Sequence, residues 1–281
     1  MAVLRRRAVL VAPASDDRKA RKALASGADE VVLDLEDAVT PENKDSARDA
    51  ASALVAEFGA DRAVSIRINA FGTPWVEADL AACAAMGTAL ASAVLPKAES
   101  SGQLTEADRL LGDAPARLQI LVETPIGIRD IAAICTSTDR LDTVIIGYAD
   151  LGATLGRSSS APRSTWHSIQ DTVLLAARAA GVGVVDGPHL TIADDDGFWE
   201  AKTWVRDLGF DGTWVIHPAQ IDSAKTIFTP DPDSVEDARR VLTALEEAAR
   251  RGDGAAKLDG RMLDEALAVS ARRVLSKVDP A

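Results

Sequence analysis

Eight short runs rich in Val, Ile and Leu recur along this chain at roughly the pitch of one strand plus one helix, and they limit its possible folds more than any other feature. The runs are Ala8–Ala12, Val31–Leu35, Ala63–Ile68, Ala91–Leu95, Leu118–Val122, Thr143–Gly147, Gly183–Asp186 and Thr213–His217. They read as continuous apolar segments without polar alternation, the pattern of parallel strands buried on both faces. Helical patterns fill the gaps. Thr40-Pro41, Thr73-Pro74 and Thr124-Pro125 each couple a threonine suited to the N-cap with proline at the first helical position, and Gly27, Gly59, Gly87, Gly181 and Gly209 stand where C-terminal caps belong. Eight such repeats predict an α/β fold of the (β/α)8 TIM-barrel type. An open doubly wound sheet is the competing architecture, but its dinucleotide fingerprint is missing: Gly181-Val-Gly183 precedes a strand instead of following one.

A chain of 281 residues, 47% of them hydrophobic, can bury one large core. The repeat pattern stops after His217, which divides the chain into a barrel over residues 1–230 and a C-terminal helical extension over 231–281. The extension reads as a helix from Val235 to Arg251, a small-residue linker from Gly252 to Ala256, a turn at Asp259-Gly260 and a last helix from Leu263 to Lys277. It is too short to be expected to form a core of its own. The expectation is that it closes over a neighbouring subunit.

Charge and cysteine content exclude several classes. The net charge of −12 and the lack of a basic stripe argue against a nucleic-acid partner. Cys83 and Cys135 have no metal-ligand spacing and read as core residues in a reducing, cytoplasmic setting. Arg5-Arg6-Arg7 precedes an apolar run that is short and contains Pro13, so it is expected to be neither a signal peptide nor a membrane span. A local group of cations can still meet an anionic small molecule. Arg7, Arg18 and Lys19 are the candidates for phosphate contacts, with a solvated helix face as the plain alternative for the last two.

The carboxyl ends of barrel strands converge on the active site, so the polar residues there form a set. It comprises Asp34, Glu36 and Asp37, then Arg67 and Asn69, then Lys97, Glu123, Asp150, Asp186 and His217. Glu123 and Asp150 follow neighbouring strands and suit Mg²⁺, which takes one or two protein carboxylates and completes its shell with water and substrate oxygens. Arg67 offers a planar fork for a carboxylate or for charge developing on oxygen. Glu36 and Asp37 add negative charge as acceptors for water on the metal. Thr124, at a helix start, and Asp150 complete the expected substrate contacts. Lys97 reads as a rim ion pair in preference to a Schiff-base lysine. No serine-hydrolase elbow, zinc-protease helix or Walker loop is present, and His167, His189 and His217 are scattered.

Several segments in order resemble the citrate lyase β-subunit-like group of the HpcH/HpaI aldolase superfamily, which includes malyl-CoA and citramalyl-CoA lyases. They are Arg7 to Pro13, Leu33 to Val39 with Lys44, Ala47 and Arg48, Ile66 to Asn69, Leu95 to Lys97, Glu123-Thr124, Gly147 to Leu151, Asp186-Gly187 and Ile216 to Gln220. The resemblance implies a Mg²⁺-dependent carbon–carbon lyase that cleaves a 3-hydroxyacyl-CoA to a 2-oxo acid and acetyl-CoA or propionyl-CoA. It implies Glu123 and Asp150 as metal ligands, Arg67 at the substrate, and a homotrimer or hexamer. The segment Leu258 to Asp264 is similar to the tail of the malyl-CoA lyase branch, which makes Asp264 the implied acid/base group, supplied by a neighbouring subunit. Citryl-CoA lyase activity, or a metal- and acyl-CoA-binding subunit without activity of its own, is the alternative reading.

Overall fold

Each predicted apolar run is a strand that pairs with the next in parallel, and the last pairs with the first. In a computed structural model that describes residues 4–158 and 160–278, the strands are β1 (Ala8–Pro13), β2 (Glu30–Asp34), β3 (Val64–Arg67), β4 (Ser92–Leu95), β5 (Arg117–Val122), β6 (Leu141–Ile146), β7 (Gly183–Asp186) and β8 (Gly212–Val215). They close in sequence order into an eight-stranded barrel. The helices around it are α1 (Asp17–Leu24), α2 (Lys44–Phe58), α3 (Val76–Ala85), α4 (Ser101–Leu111), α5 (Pro125–Cys135), α6 (Tyr148–Leu155), α7 (His167–Ala179), α8 (Asp196–Leu208) and α9 (Ile221–Phe228). The chain divides into two compact units, Met1–Lys225 and Thr226–Ala281.

The strands do alternate, contrary to the expectation of unbroken apolar runs. Register neighbours such as Val9 and Glu30, Ser65 and Ser92, or Asp34 and Arg67 lie side by side and point the same way. Their inward side chains fill the barrel in layers. The middle layer is apolar and joins Val9, Val32, Val94, Leu121, Ile145, Val185 and Trp214 in one cluster. Below it, at the amino ends of the strands, Glu30, Ser65, Ser92, Gln119 and Thr143 form a buried polar layer. Arg6 caps this layer with bonds to Glu30 and, at 2.8 Å, to Thr143 Oγ1, and it reaches Asp142 at 3.2 Å. Above the middle layer stand Asp34, Arg67 and Glu123.

Two of the three threonine-proline pairs mark helical starts. Thr124 caps α5, its hydroxyl accepting from Gly127 N at 3.1 Å, and Thr40 precedes a 3-10 turn at Pro41–Asn43 that leads into α2. Thr73 instead donates to Ala70 O at 2.8 Å, and α3 starts only at Val76, with Trp75 at the cap position and no side-chain cap bond. Both cysteines are buried free thiols, as expected of core residues.

The second unit corrects the expectation that the tail lacks a core. A hairpin, β9 (Ala256–Leu258) and β10 (Arg261–Leu263), lies between α10 (Pro232–Arg250) and α11 (Glu265–Ser276). Asp259 at φ 49° and Gly260 at φ 79° are both left-handed, as a two-residue hairpin turn requires. Ala238, Val241, Ala248, Ala256, Leu263 and Ala271 then pack into one apolar cluster. The hairpin supplies two of these side chains, which is how so short a segment closes a core.

Candidate active site

Asp34 organises the second strand's end. Its carboxylate accepts from the backbone N–H of Glu36 at 2.9 Å and of Ala38 at 3.2 Å, which bends the β2 loop across the barrel mouth. The same carboxylate takes both arms of the Arg67 fork, Nε at 2.7 Å and Nη2 at 2.6 Å. The fork expected to bind substrate is thus held by the protein. Arg67 keeps Nη1 toward the mouth, 3.3 Å from Glu36 and 3.8 Å from Asp37, with its guanidinium 5.9 Å above the Trp214 ring. Burial opposes the charge on Arg67, but the bond to Asp34 and the charges of Asp34, Glu36 and Asp37 together outweigh it and raise the pKa. Lys44, buried in α2, donates to Leu35 O and Glu36 O at 2.7 Å each and fixes the loop from behind.

Lys97 links the second and fifth strand ends. It is one of two non-glycine residues among those described with positive φ, at 50°. That conformation directs its backbone N–H at Glu123 Oε1, 2.9 Å away, while its ammonium contacts Glu36 and lies 3.8 Å from Asp37 and from Asp150. This is the rim ion pair expected for Lys97. Burial works against its charge, but the bond with Glu36 and the charges of Glu36, Asp37 and Glu123 together raise its pKa.

Glu123 is 4% exposed, at the end of β5. Gly147, across the β5–β6 ladder, makes room for it: a Cβ there would stand 2.4 Å from Glu123 Oε2. Asp150 projects from the first turn of α6, and its side chain is 46% exposed. Burial first, then the negative charges of Glu36 and Asp150, push Glu123 up to about 7 against the pull of Lys97. Burial also raises Glu36, opposed by Arg67 and Lys97. Glu36 Oε2 is buried without a hydrogen-bond donor. Asp34, Glu36, Asp37, Glu123 and Asp150 therefore outnumber the cations Arg67, Lys97 and Lys44 that touch the cluster or its loop.

These residues fit a hard divalent cation. The donors are oxygens, Glu36 Oε2 is buried without a hydrogen-bond donor, and burial among other carboxylates makes the ionised form of Glu123 costly until a cation faces it. Among the described residues no group of three or more His, Cys, Asp or Glu side chains forms a ready-made metal cage. Two carboxylates with room for water and substrate match the habit of Mg²⁺ in particular.

The other predicted residues separate. Arg18 and Lys19 lie in the first turn of α1, which follows the carboxyl end of β1 and so faces the same end of the barrel; Lys19 is 3.2 Å from Asp16. Arg7 does not belong with them. It precedes β1, at the opposite end, where its side chain is buried and bonds Asp29 at 2.9 Å through Nε and Nη2. A phosphate role for Arg7 is ruled out by that position. Asn69 is tied to Asp79 at 2.7 Å, and His217 is an exposed cap that accepts from Ala219 N. Asp264 belongs to the second unit, where it is exposed and caps α11 by accepting from Leu267 N at 3.2 Å. Asp186 is buried and bonded to Tyr148, which lies in the Gly147–Leu151 segment without being singled out there, and to Lys202, which neither periodicity nor motif distinguishes in the sequence.

Residues 7–218 match the model of the HpcH/HpaI aldolase/citrate lyase family. The chain belongs to that family. The matched span runs from just before β1 to just after β8, so it contains every barrel strand and both candidate metal ligands. A (3S)-malyl-CoA thioesterase of Cereibacter sphaeroides is 36% identical over 276 residues, 97% of this chain and 94% of the relative. An L-malyl-CoA/beta-methylmalyl-CoA lyase of the same species is 31% identical over 287 residues, 92% of this chain and 90% of the relative. Among solved structures, protein CitE from Mycobacterium tuberculosis, in complex with magnesium, acetoacetate and coenzyme A, is 34% identical with a TM-score of 0.78 and 99% of each chain covered. Family members similar to this chain thus extend through the second unit as well as the barrel.

Proposed function

We propose that the protein is a Mg²⁺-dependent carbon–carbon lyase acting on a 3-hydroxyacyl-CoA of the malyl-CoA, methylmalyl-CoA or citramalyl-CoA type. Its products are a 2-oxo acid, glyoxylate or pyruvate, and acetyl-CoA or propionyl-CoA, and the reverse condensation uses the same groups. The observation that carries this reading is the carboxylate excess around Glu123 and Asp150 beside a clamped Arg67, in a chain similar to a malyl-CoA lyase and to a CitE structure that holds magnesium and coenzyme A.

Glu123 and Asp150 would hold the cation, with Glu36 and Asp37 adding negative charge beside it. Bound Mg²⁺ supplies Lewis-acid polarisation of the substrate oxygens. Arg67, fixed by Asp34, directs Nη1 at charge that develops on oxygen and needs no reorganisation to do so. In the cleavage direction the hydroxyl gives its proton to solvent, and its O–H electron pair forms the carbonyl of the 2-oxo acid as the adjacent C–C bond breaks. The electron pair of that C–C bond becomes the enolate of the acyl-CoA, which takes up one proton in turn. Asp264 is the group assigned to return a proton to the enolate carbon. Its place in a separate unit fits donation by a neighbouring subunit in a trimer or hexamer. Arg18 and Lys19 remain the phosphate candidates. No helix among the described residues is long and apolar enough to cross a membrane.

A second reading rests on the relative named a malyl-CoA thioesterase: water attacks the thioester carbonyl, and the free hydroxy acid and coenzyme A leave. Mass spectrometry of purified protein with Mg²⁺ and malyl-, methylmalyl-, citramalyl- or citryl-CoA separates the outcomes. The lyase yields a 2-oxo acid and a shorter acyl-CoA, the thioesterase an intact hydroxy acid and free coenzyme A. Turnover of none would favour a binding subunit. Light scattering gives the oligomer size.

A further inference from the structure

Asp150 is the third residue of α6, an eight-residue helix whose cap position is Gly147 and which has no side-chain N-cap bond. Something else must fix its first turn. Tyr148, the first residue of α6, extends its hydroxyl to Asp186 Oδ1 at 2.6 Å at the end of β7. Lys202 from α8 donates to the other oxygen of Asp186 at 2.5 Å and to Gly187 O at 2.7 Å. Gln170 from α7 donates to the Tyr148 hydroxyl at 2.8 Å, and its own carbonyl accepts from Trp204 Nε1 at 3.1 Å. Asp186, Lys202 and Gln170 are each 2% exposed. The Tyr148 ring stands edge-on to Trp166 at 4.9 Å. Gly187 closes the packing, because a Cβ there would meet Ile146 O at 2.1 Å and Tyr148 Cδ2 at 3.0 Å.

On the opposite side, the Gly147 backbone is pressed against Glu123. The turn that carries Asp150 is thus held between Glu123 and a buried chain of four polar side chains. We infer that Tyr148, anchored by Asp186, Lys202 and Gln170, is the positioning residue that sets Asp150 against Glu123 and thereby the affinity of this carboxylate pair for a divalent cation. The inference rests on the metal reading given above. Tyr148 itself touches neither carboxylate; it acts through the backbone of α6. A polar chain of this kind, with a buried ion pair at its centre, holds one geometry because every alternative leaves a buried group without its partner.

Calorimetric titration with MgCl₂ of wild type, Tyr148→Phe and Gln170→Met tests it, with thermal melting of each in chelator. Tyr148→Phe keeps the ring beside Trp166 and leaves Asp186 paired with Lys202, so no charge is orphaned. Its Mg²⁺ affinity is expected to fall at least about tenfold, the scale for losing a partner that orients a metal ligand. Gln170→Met should weaken binding in the same direction by less. Ser92→Ala, in the polar layer at the other end of the barrel, should lower the melting temperature and leave Mg²⁺ affinity unchanged. Wild-type affinity in a folded Tyr148→Phe protein, or in Gln170→Met if Tyr148→Phe does not fold, overturns the inference. So does an equal loss in Ser92→Ala, which would show general loosening. A wild type that binds no Mg²⁺ instead overturns the metal reading and takes this inference with it.

Discussion

The two ends of the barrel interior use the same residue types to opposite effect. At the amino end, Arg6 meets Glu30 and Asp142, Arg7 meets Asp29, and Ser65, Ser92, Gln119 and Thr143 bond to Glu30, to Arg6 or to one another. At the carboxyl end, five carboxylates crowd around Arg67 and Lys97, and Asp37 and Asp150 are about half exposed. The apolar layer of Val32, Val94, Leu121 and their neighbours separates the two. Charged side chains inside a barrel therefore do not by themselves mark an active site. What marks it is a local excess of carboxylates, five against Arg67, Lys97 and Lys44, where the amino end sets Asp29, Glu30 and Asp142 against Arg6, Arg7 and Lys225. Crowding such an excess together costs stability that a proton, a ligand or a cation offsets.

The sharpest way to break this contrast is to remove one carboxylate from each end. Glu123→Ala or Asp150→Ala should lower Mg²⁺-dependent turnover by on the order of a thousandfold or more, since Lewis-acid stabilisation is worth several kcal/mol, while the fold persists. Mg²⁺ titration checks the cause; unchanged affinity in both variants would remove the metal from this site. Glu30→Ala should do the reverse. Leaving Arg6 buried without its main partner costs about 3 to 5 kcal/mol of folding stability, read by urea denaturation, with Mg²⁺ affinity unaltered in the protein that remains folded.

Arg67→Lys probes the clamp that joins structure to chemistry at the carboxyl end. Lysine keeps the charge but cannot bond both oxygens of Asp34 and still present a third group to the mouth. Transition-state stabilisation should fall by about 2 to 4 kcal/mol, the scale for one preorganised donor. A variant with wild-type kcat/KM would mean that Arg67 serves the β2 loop alone.

The difference between the ends also explains how far the sequence could be read. Strand positions were legible because Val, Ile and Leu runs bounded by caps carry them, and Glu123, Asp150, Arg67 and Glu36 were legible because each sits where a strand surfaces. Ser65, Ser92 and Gln119 were hidden inside runs that read as apolar, although each falls two residues from an inward-facing partner, and that spacing was the available signal. Arg7 directly precedes the first apolar run and so enters at the amino end of β1; that order in the chain was the available signal. Lys97 gave no sign of its left-handed backbone. Tyr148, Gln170 and Lys202 are ordinary helix residues until three separate elements bring them to Asp186. The tail's core depended on the hairpin at Asp259-Gly260, whose strands are only three residues each.

The finest distinction between the ends is electrostatic and appears in the pH dependence of metal-free protein. Glu123 titrates near 7 in the folded chain against an ordinary 4.5, chiefly because it is buried and secondarily because Glu36 and Asp150 repel its charge. A carboxyl with a raised folded pKa holds its proton more tightly folded than unfolded. Its contribution to stability is present in full below about 4.5, declines as pH rises from about 4.5 to about 7, and is flat above that. The change is about 3 kcal/mol at one buried site. Glu123→Gln has no such proton to lose, so its stability in chelator, relative to wild type, should rise across that window and stay higher at pH 8. Mg²⁺ moves wild type the other way, since the cation binds the ionised form: affinity should increase as pH rises toward 7 and then level. Denaturation of both proteins in chelator between pH 5 and pH 8 measures the difference. Parallel curves would mean that Glu123 is already ionised across this range, and the carboxyl end would then be balanced like the amino end.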